Sequence, residues 1–346
     1  MKVIDLRSDT VTKPTPDMRK AMAEAEVGDD QYLEDPTVKR LQEMAAEKMG
    51  MDAALFMPSG TMANQVAIKI HTQPGQEVIT EERGHIYNFE MAAMSAICGV
   101  LPRPIFGEGG ILGVEAIKKA IRPKIYSRPQ TSLITLENTH NHAGGMVYPT
   151  SKAKEVIAFA REARIPVHLD GARIFNAATA LGCEAKELTQ GFDSVMFCLS
   201  KGLCAPVGSM LCGSGEFIRR ALSVRKLFGG ALRQVGVIAA AGIVGLEKMV
   251  ARLGEDHGNA RLLAVKLAEI EGLSIDPNEV RTNVLFFEVT RAGMTAPVLS
   301  KALKEHGILA NAVDEHRIRM LTHNDVTRED CLTAAQTILD VMKGQA

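Results

Sequence analysis

No Cys-x-x-Cys pair occurs in this 346-residue chain; its six cysteines stand apart at 98, 183, 198, 204, 212 and 331. That scatter excludes a tight disulfide framework and points to reduced, buried thiols. An excess of charge of either sign is also missing. Forty Lys and Arg against 41 Asp and Glu leave a formal net charge of -1, which removes any global electrostatic reason to bind nucleic acid or an acidic membrane. The longest apolar run, Val235 to Leu246, is too short to span a bilayer, and the charges of Met-Lys-Val-Ile-Asp-Leu-Arg come too early for the apolar region of a signal peptide. There is no linker, repeat or low-complexity segment. The expectation is a cytoplasmic protein with a small, locally charged ligand. Neither G-x-G-x-x-G nor G-x-x-x-x-G-K-[ST] is found, which argues against the common dinucleotide and nucleoside-triphosphate sites.

What is present centres on the stretch from Val167 to Gly202. Two short apolar runs, Ile165 to Leu169 and Val195 to Leu199, each stop at a chargeable residue, Asp170 or Lys201, with glycine directly after. Buried parallel strands read this way when their carboxyl ends open onto a ligand crevice. A lysine there is expected to lose solvation and some basicity, becoming an amine suited to attack on a carbonyl. An aspartate on the neighbouring strand end would hold a cation. Together they suit pyridoxal phosphate, with Lys201 bonded to its aldehyde and Asp170 keeping the pyridine nitrogen protonated. An ordinary Asp-Lys ion pair at the rim of an α/β sheet explains the same two residues equally simply.

Around this centre the pattern predicts a large α/β domain, 1–253, and a small α+β domain, 254–346. Pro16 to Ala25 has helical spacing. Asp35 and Pro36 open a helix whose face is Val38, Leu41, Ala45 and Met49, stopped by Gly50. Pro58-Ser59-Gly60-Thr61 precedes an apolar helix; its hydroxyls and free amides suit an anion, although a plain helix cap looks the same. Glu77 to Thr80 and Ser132 to Leu136 read as strands, followed by His85 before a helix starting near Asn88, and by His140. His142 is assigned to solvent. Phe217 to Leu227 reads as a helix whose basic residues form a solvated face. In the small domain the pattern gives strands over 284–289, 308–313 and 317–321 between helices over 256–270, 296–306 and 328–342. Arg319 alternates with Ile318 and Met320.

Asp-Leu-Arg-Ser-Asp-Thr-Val-Thr (5–12), Val-Gly-Asp-Asp-Gln-Tyr (27–32), Glu-Asp-Pro-Thr (34–37), Pro-Ser-Gly-Thr (58–61), Glu-Asn-Thr-His-Asn (137–141), Asp-Gly-Ala-Arg-Ile-Phe-Asn (170–176) and Cys-Leu-Ser-Lys-Gly-Leu (198–203) resemble the threonine aldolases. The similarity runs in order from Asp5 to the 318–323 segment. It implies a pyridoxal-phosphate enzyme of aspartate-aminotransferase fold (fold type I), with a mostly parallel mixed sheet. It also implies a homo-oligomer, a dimer of dimers, that cleaves L-threonine or L-allo-threonine into glycine and acetaldehyde. By the same resemblance Lys201 carries the cofactor, Ser59, Gly60 and Thr61 hold its phosphate, and His85 stacks on its ring above Asp170. His140 approaches the substrate hydroxyl, so that either histidine, or a water they hold, is the base. Ser8, Arg173 and Arg319 take the substrate carboxylate, and Arg233 reaches a phosphate, including one in a neighbouring subunit. No metal is implied. The family usually shows a third glycine and a methionine where Ala231 and Leu232 stand, a departure that bears on loop geometry. On the same scaffold β-elimination and transamination are the alternative reactions. A nucleotide-binding α/β protein using the Ser59 turn is the alternative outside it.

Overall fold

In the computed structural model, which describes residues 2–344, Pro14–Val250 forms one compact unit, and the chain through Lys13 joins Ala251 onward in a second. The first is built on a seven-stranded sheet. From edge to edge its strands are Ala53–Met57, Ser209–Gly213, Ser194–Cys198, Val167–Asp170, Thr131–Glu137, Glu77–Glu81 and Leu101–Ile105. Ser209–Gly213 runs antiparallel to both its neighbours, and every other pair is parallel. Glu77–Glu81, Val167–Asp170, Ser194–Cys198 and Ser209–Gly213 are buried along their whole length, and Thr131–Glu137 from Leu133 onward, which is why these strands show no polar-apolar alternation. Leu101–Ile105 is different. Its Pro102 and Pro104 supply no ladder donor, and it sits at an edge, where that loss is tolerated.

Helices Gly60–His71 and Gly215–Leu227 pack on this sheet around Leu55, Met57, Val66, Ile70, Met196, Leu211 and Phe217. Fully burying a Val or Ile side chain is worth roughly 1.5–3 kcal/mol, so these two helices are held by packing more than by propensity. Helix Pro36–Met49 begins where the sequence places it: Asp35 Oδ1 accepts from the Val38 amide at 3.0 Å, and Gly50 ends it at a φ of 60°. Helices Pro16–Ala23 and Pro36–Met49 lie against the Ala- and Gly-rich helix Gly236–Val244. A Cβ on Gly242 would come within 2.9 Å of Leu199 Cδ1 and 3.1 Å of Leu41 Cδ2, so the approach depends on glycine.

The basic helix departs from expectation at one residue. Arg225 is buried, donating to Asp30 Oδ2 at 2.8 Å and to the Phe56 carbonyl at 3.0 Å, and it ties the 27–35 segment to the sheet. The helix expected near Asn88 starts at His85, as a single turn through Asn88, with another turn over Ala93–Ala96. His142, assigned to solvent, stacks on Phe89 with ring centres 4.3 Å apart.

The second unit has a four-stranded antiparallel sheet in the order Asn311–Ala312, Arg317–Leu321, Val284–Val289, Leu273–Ser274. Helices Leu253–Ala268, Ala296–Glu305 and Arg328–Lys343 enclose its core, centred on Leu263, Phe287, Leu299, Met320 and Ile338. The single strand expected over 308–313 is two, Ile308–Leu309 and Asn311–Ala312. Ile4–Asp5 pairs in parallel with Ile308–Leu309, and Lys2 meets Asp330 at 2.6 Å, so the amino-terminal segment is a working part of this unit. All six cysteines are free; Cys183 is half-buried and the other five are buried. Among the described residues no helix is long and apolar enough to cross a membrane.

Candidate active site

The carboxyl ends of the central strands deliver their polar residues to one cavity of about 350 Å³. Asp170 is the last residue of its strand, and Lys201 follows the next strand by three residues. Ser59, Gly60 and Thr61 line the same cavity at the start of a twelve-residue helix, with Asn64 one turn on and His85 opposite. Two larger concavities, about 610 and 880 Å³, lie on the other unit. They are bordered by scattered surface groups such as Glu271 and Lys343 and gather no such set of convergent functional groups.

At the helix start, Ser59 Oγ accepts from the Met62 amide at 3.1 Å, so the serine is a true cap. The amides of Gly60 and Thr61 belong to the first turn, whose donors have no partner within the helix. A Cβ on Gly60 would lie 2.9 Å from Met196 Cε and 3.1 Å from Cys198 Sγ, so only glycine lets the turn sit this close to the sheet.

Asp170 is fully enclosed yet well supplied with donors. Its Oδ1 accepts from the Ala172 amide at 3.1 Å and its Oδ2 from Asn64 Nδ2 at 2.9 Å. The second hydrogen of Asn64 Nδ2 goes to Glu90 Oε1 at 2.8 Å, and Gln65 Nε2 donates to Glu90 Oε2 at 2.6 Å. Glu90 also takes His85 Nδ1 at 3.1 Å. Burial opposes a charge on His85, but the hydrogen bond to Glu90, aided by Asp170, raises its pKa above the ordinary 6.5. Burial likewise pushes the Glu90 carboxyl above its usual range, against the pull of the hydrogen bonds from His85 and Asn64. Ligand atoms of His85, Glu90 and Asp170 fall within 4.8 Å of one another, close enough for a cation. The amide donors of Asn64 and Gln65 already occupy both carboxylates, and N–H groups aimed at the same oxygens repel a cation.

The remaining expected residues are placed elsewhere. His140 has no exposed surface; its Nε2 pairs with Glu81 Oε2 at 2.9 Å, its Nδ1 has no hydrogen-bond partner, and it does not line the cavity. Arg173 is buried at the head of helix Ile174–Leu181, with one guanidinium nitrogen 3.3 Å from Asn141 Oδ1. Arg233 is exposed and pairs with Asp29 at 3.0 Å. Ser8 and Arg319 belong to the other unit. Ser8 Oγ caps a short 3-10 turn through the Thr10 amide, and Arg319 stands on a central strand opposite Phe286 and Asn311. The sequence reading missed Asn64 and Glu90. Asn64 was detectable as an Asn-Gln pair inside an otherwise apolar helix, since buried amides need partners. Glu90 follows a single helical turn and carries no periodic signal.

Residues 5–290 match the beta-eliminating lyase family. The chain is 45% identical to the low specificity L-threonine aldolase of Escherichia coli strain K12 over 334 residues, covering 96% of this chain and 97% of that one. This chain belongs to the low-specificity L-threonine aldolase family. Other members of this aldolase family are similar over comparable lengths. Low-specificity L-threonine aldolase 1 of Arabidopsis thaliana is 44% identical, covering 95% of this chain and 94% of that one, and the Saccharomyces cerevisiae enzyme is 36% identical, covering 94% and 83%. The fold extends further than the sequence. Leishmania major threonine aldolase superimposes with a TM-score of 0.83 at 18% identity over 98% of this chain and 99% of that one. A structure of SPT with PLP does so with 0.76 at 18% identity over 99% and 89%. The expected fold class, an α/β unit with a mostly parallel mixed sheet plus a small α+β unit, is the one observed.

Proposed function

We propose that this member of the aldolase family uses pyridoxal phosphate to cleave L-threonine and L-allo-threonine into glycine and acetaldehyde. The observation that carries the reading is the convergence of Lys201, Asp170, His85 and the Ser59-Gly60-Thr61 helix start on one cavity, in a chain 45% identical to a curated low specificity L-threonine aldolase. The donor set fits the cofactor. First-turn amides and a helix amino terminus suit its phosphate, an amine meets its aldehyde, and a buried carboxylate suits its ring nitrogen. When bound, pyridoxal phosphate supplies an electron sink for the charge left on Cα when a bond to that carbon breaks.

The protein's part is placement and proton transfer. Lys201 would hold the cofactor through its side-chain amine, at the place where the substrate amine must also reach. Asp170, fixed by Asn64 and the Ala172 amide, is the carboxylate that would keep a proton on the ring nitrogen of the cofactor. His85 donates from Nδ1 to Glu90, which leaves Nε2 as its basic atom. That nitrogen takes the β-hydroxyl proton as the Cα–Cβ bond breaks, and Glu90 stabilises the imidazolium that forms. A proton delivered to Cα completes glycine. His140 is the second histidine of the motif by resemblance, and its engagement with Glu81 supports a supporting role. Ser8, Arg173 and Arg319 as carboxylate contacts, and Arg233 as a phosphate contact, rest on resemblance alone. The same resemblance supports a homo-oligomer, a dimer of dimers, while a cytoplasmic location rests on the scattered cysteines and the early charges of the first residues.

The test is product analysis. Incubated with pyridoxal phosphate and each threonine isomer, the protein should release glycine and acetaldehyde in equal amounts; ammonia and 2-oxobutanoate in their place would make it an eliminating lyase. Borohydride should fix the cofactor at Lys201, and Lys201→Ala should abolish both the label and steady turnover.

A further inference from the structure

Behind Asp170 runs a line of buried polar groups that the proposed chemistry does not use. His71 Nε2 lies 2.8 Å from Ser194 Oγ, Ser194 Oγ 2.8 Å from His168 Nδ1, and His168 Nε2 3.0 Å from Asn64 Oδ1. His168 and Ser194 are register partners on adjacent strands, and Asn64 reaches them from its helix. Ser194, His168 and Asn64 are each at most 1% exposed, where a polar group left without a partner is costly.

The donors and acceptors can be ordered along this line in one way. Both carboxylates facing Asn64 are acceptors, so its amide nitrogen points at Asp170 and Glu90 and its oxygen at His168. His168 therefore donates from Nε2. Burial, outweighing the attraction of Asp170, lowers its pKa to about 4, so the ring is neutral near pH 7 and Nδ1 accepts. The Ser194 hydroxyl supplies that hydrogen, and its oxygen accepts from His71 Nε2–H. Burial first, then the neighbouring His168, lowers the His71 pKa to about 3, so this ring too is neutral.

We propose that Asn64 is a positioning residue, oriented by a one-way hydrogen-bond chain from His71 through Ser194 and His168, that holds Asp170 toward the cofactor and Glu90 toward His85 with the two hydrogens of one amide. The two carboxylates, one serving the cofactor ring and one serving the base, thereby share a single fixed point. Reversing the amide would set an oxygen against both carboxylates and its N–H₂ against the His168 Nε2–H, so the hydrogen-bond chain opposes it. The role rests on the aldolase reading above, but the direction of the chain does not.

Nitrogen-15 histidine NMR of the cofactor-loaded protein at pH 7.5 should show His168 and His71 as neutral rings protonated at Nε2. A His168 ring protonated at Nδ1, or at both nitrogens, overturns the proposal whatever the substrate proves to be. Function is tested by two substitutions at His168. His168→Leu should lower kcat for threonine cleavage and cofactor affinity by about tenfold each, the scale of one buried polar group left without its partner. His168→Gln keeps a donor toward Asn64 and an acceptor toward Ser194 and should stay within about threefold of the parent. Equal losses in the two variants would make His168 a space-filling residue and sink the idea. Should His168→Leu not fold, Ser194→Ala, which removes only the middle hydroxyl, is expected to shift the NMR-observed His168 ring toward a mixture of tautomers; an unchanged ring overturns the proposal. Parent turnover and borohydride labelling at Lys201 report separately on the aldolase reading.

Discussion

The large unit contains two histidine-carboxylate pairs of nearly the same length, His85 with Glu90 at 3.1 Å and His140 with Glu81 at 2.9 Å. In both, burial opposes the imidazolium while the hydrogen bond to the carboxylate favours it, and in both the histidine pKa is raised. What separates them is access. The His85 ring keeps about a third of its surface open (32%), whereas His140 has none. A paired histidine is a base only if its second nitrogen can meet a substrate; enclosed on both sides, the same pair is a structural tie. Electrostatics alone would rank the two alike, and geometry divides them.

The widest test of that division is substitution of each histidine. A general base contributes about 10²- to 10⁴-fold, so His85→Asn should reduce kcat for threonine cleavage by that order. His140→Asn should act mainly on cofactor affinity or isomer preference; a larger kcat loss from His140→Asn than from His85→Asn would reverse the assignment.

A smaller effect should come from the carboxylates. Glu90 favours protonated His85, so the folded pKa lies above 6.5 and the base works only above it. In Glu90→Gln that pKa falls, the acid limb of the kcat/KM profile moves to lower pH, and kcat drops by about tenfold. The linked stability has the matching sign: the His85 contribution is fully present below pH 6.5 and fades as pH rises through the raised folded pKa. Glu81→Gln should leave the acid limb in place and lower stability instead, by about 2 kcal/mol, seen in denaturant unfolding.

The smallest effect on turnover is expected from Gly110→Ala. Gly110 has a φ of 81°, and a Cβ there would meet His140 Cγ and Cδ2 at 2.5 Å. Backbone strain and displacement of the ring should cost about 1–3 kcal/mol of stability while kcat stays near the parent value. A collapse of kcat with the fold intact would mean that the His140 pocket takes part in catalysis.

The sheet and its crevice were readable because parallel strands write themselves as unbroken apolar runs ending in Asp170 or just before Lys201. Caps such as Asp35 and Ser59 were readable because the local chemistry of a helix start is fixed. What escaped notice depended on partners far along the chain. Leu101–Ile105 was hidden by the prolines that mark it as an edge, and Arg225 looked like one more surface cation until Asp30, 195 residues away, was found against it. Asn64, His168 and Ser194 come from one helix and two strands, and no spacing in the sequence encodes their meeting. The two histidine motifs were visible as words, but their exposure, which decides between them, is a property of the packing.

The placement of the cysteines has a practical consequence. Burial raises the Cys98 thiol to about 11 and Cys331 to about 12, and drives Cys212 upward as well, so none of these three presents a thiolate near neutral pH. Cys183, just after helix Ile174–Leu181, is the most exposed of the six, although burial and then Glu187 raise its thiol as well; Cys198 is 7% exposed and borders the active-site cavity. A maleimide reagent applied briefly at neutral pH should therefore attach fastest at Cys183, because of access and not acidity, giving an anchoring point for a dye or spin label without any engineered change to the protein.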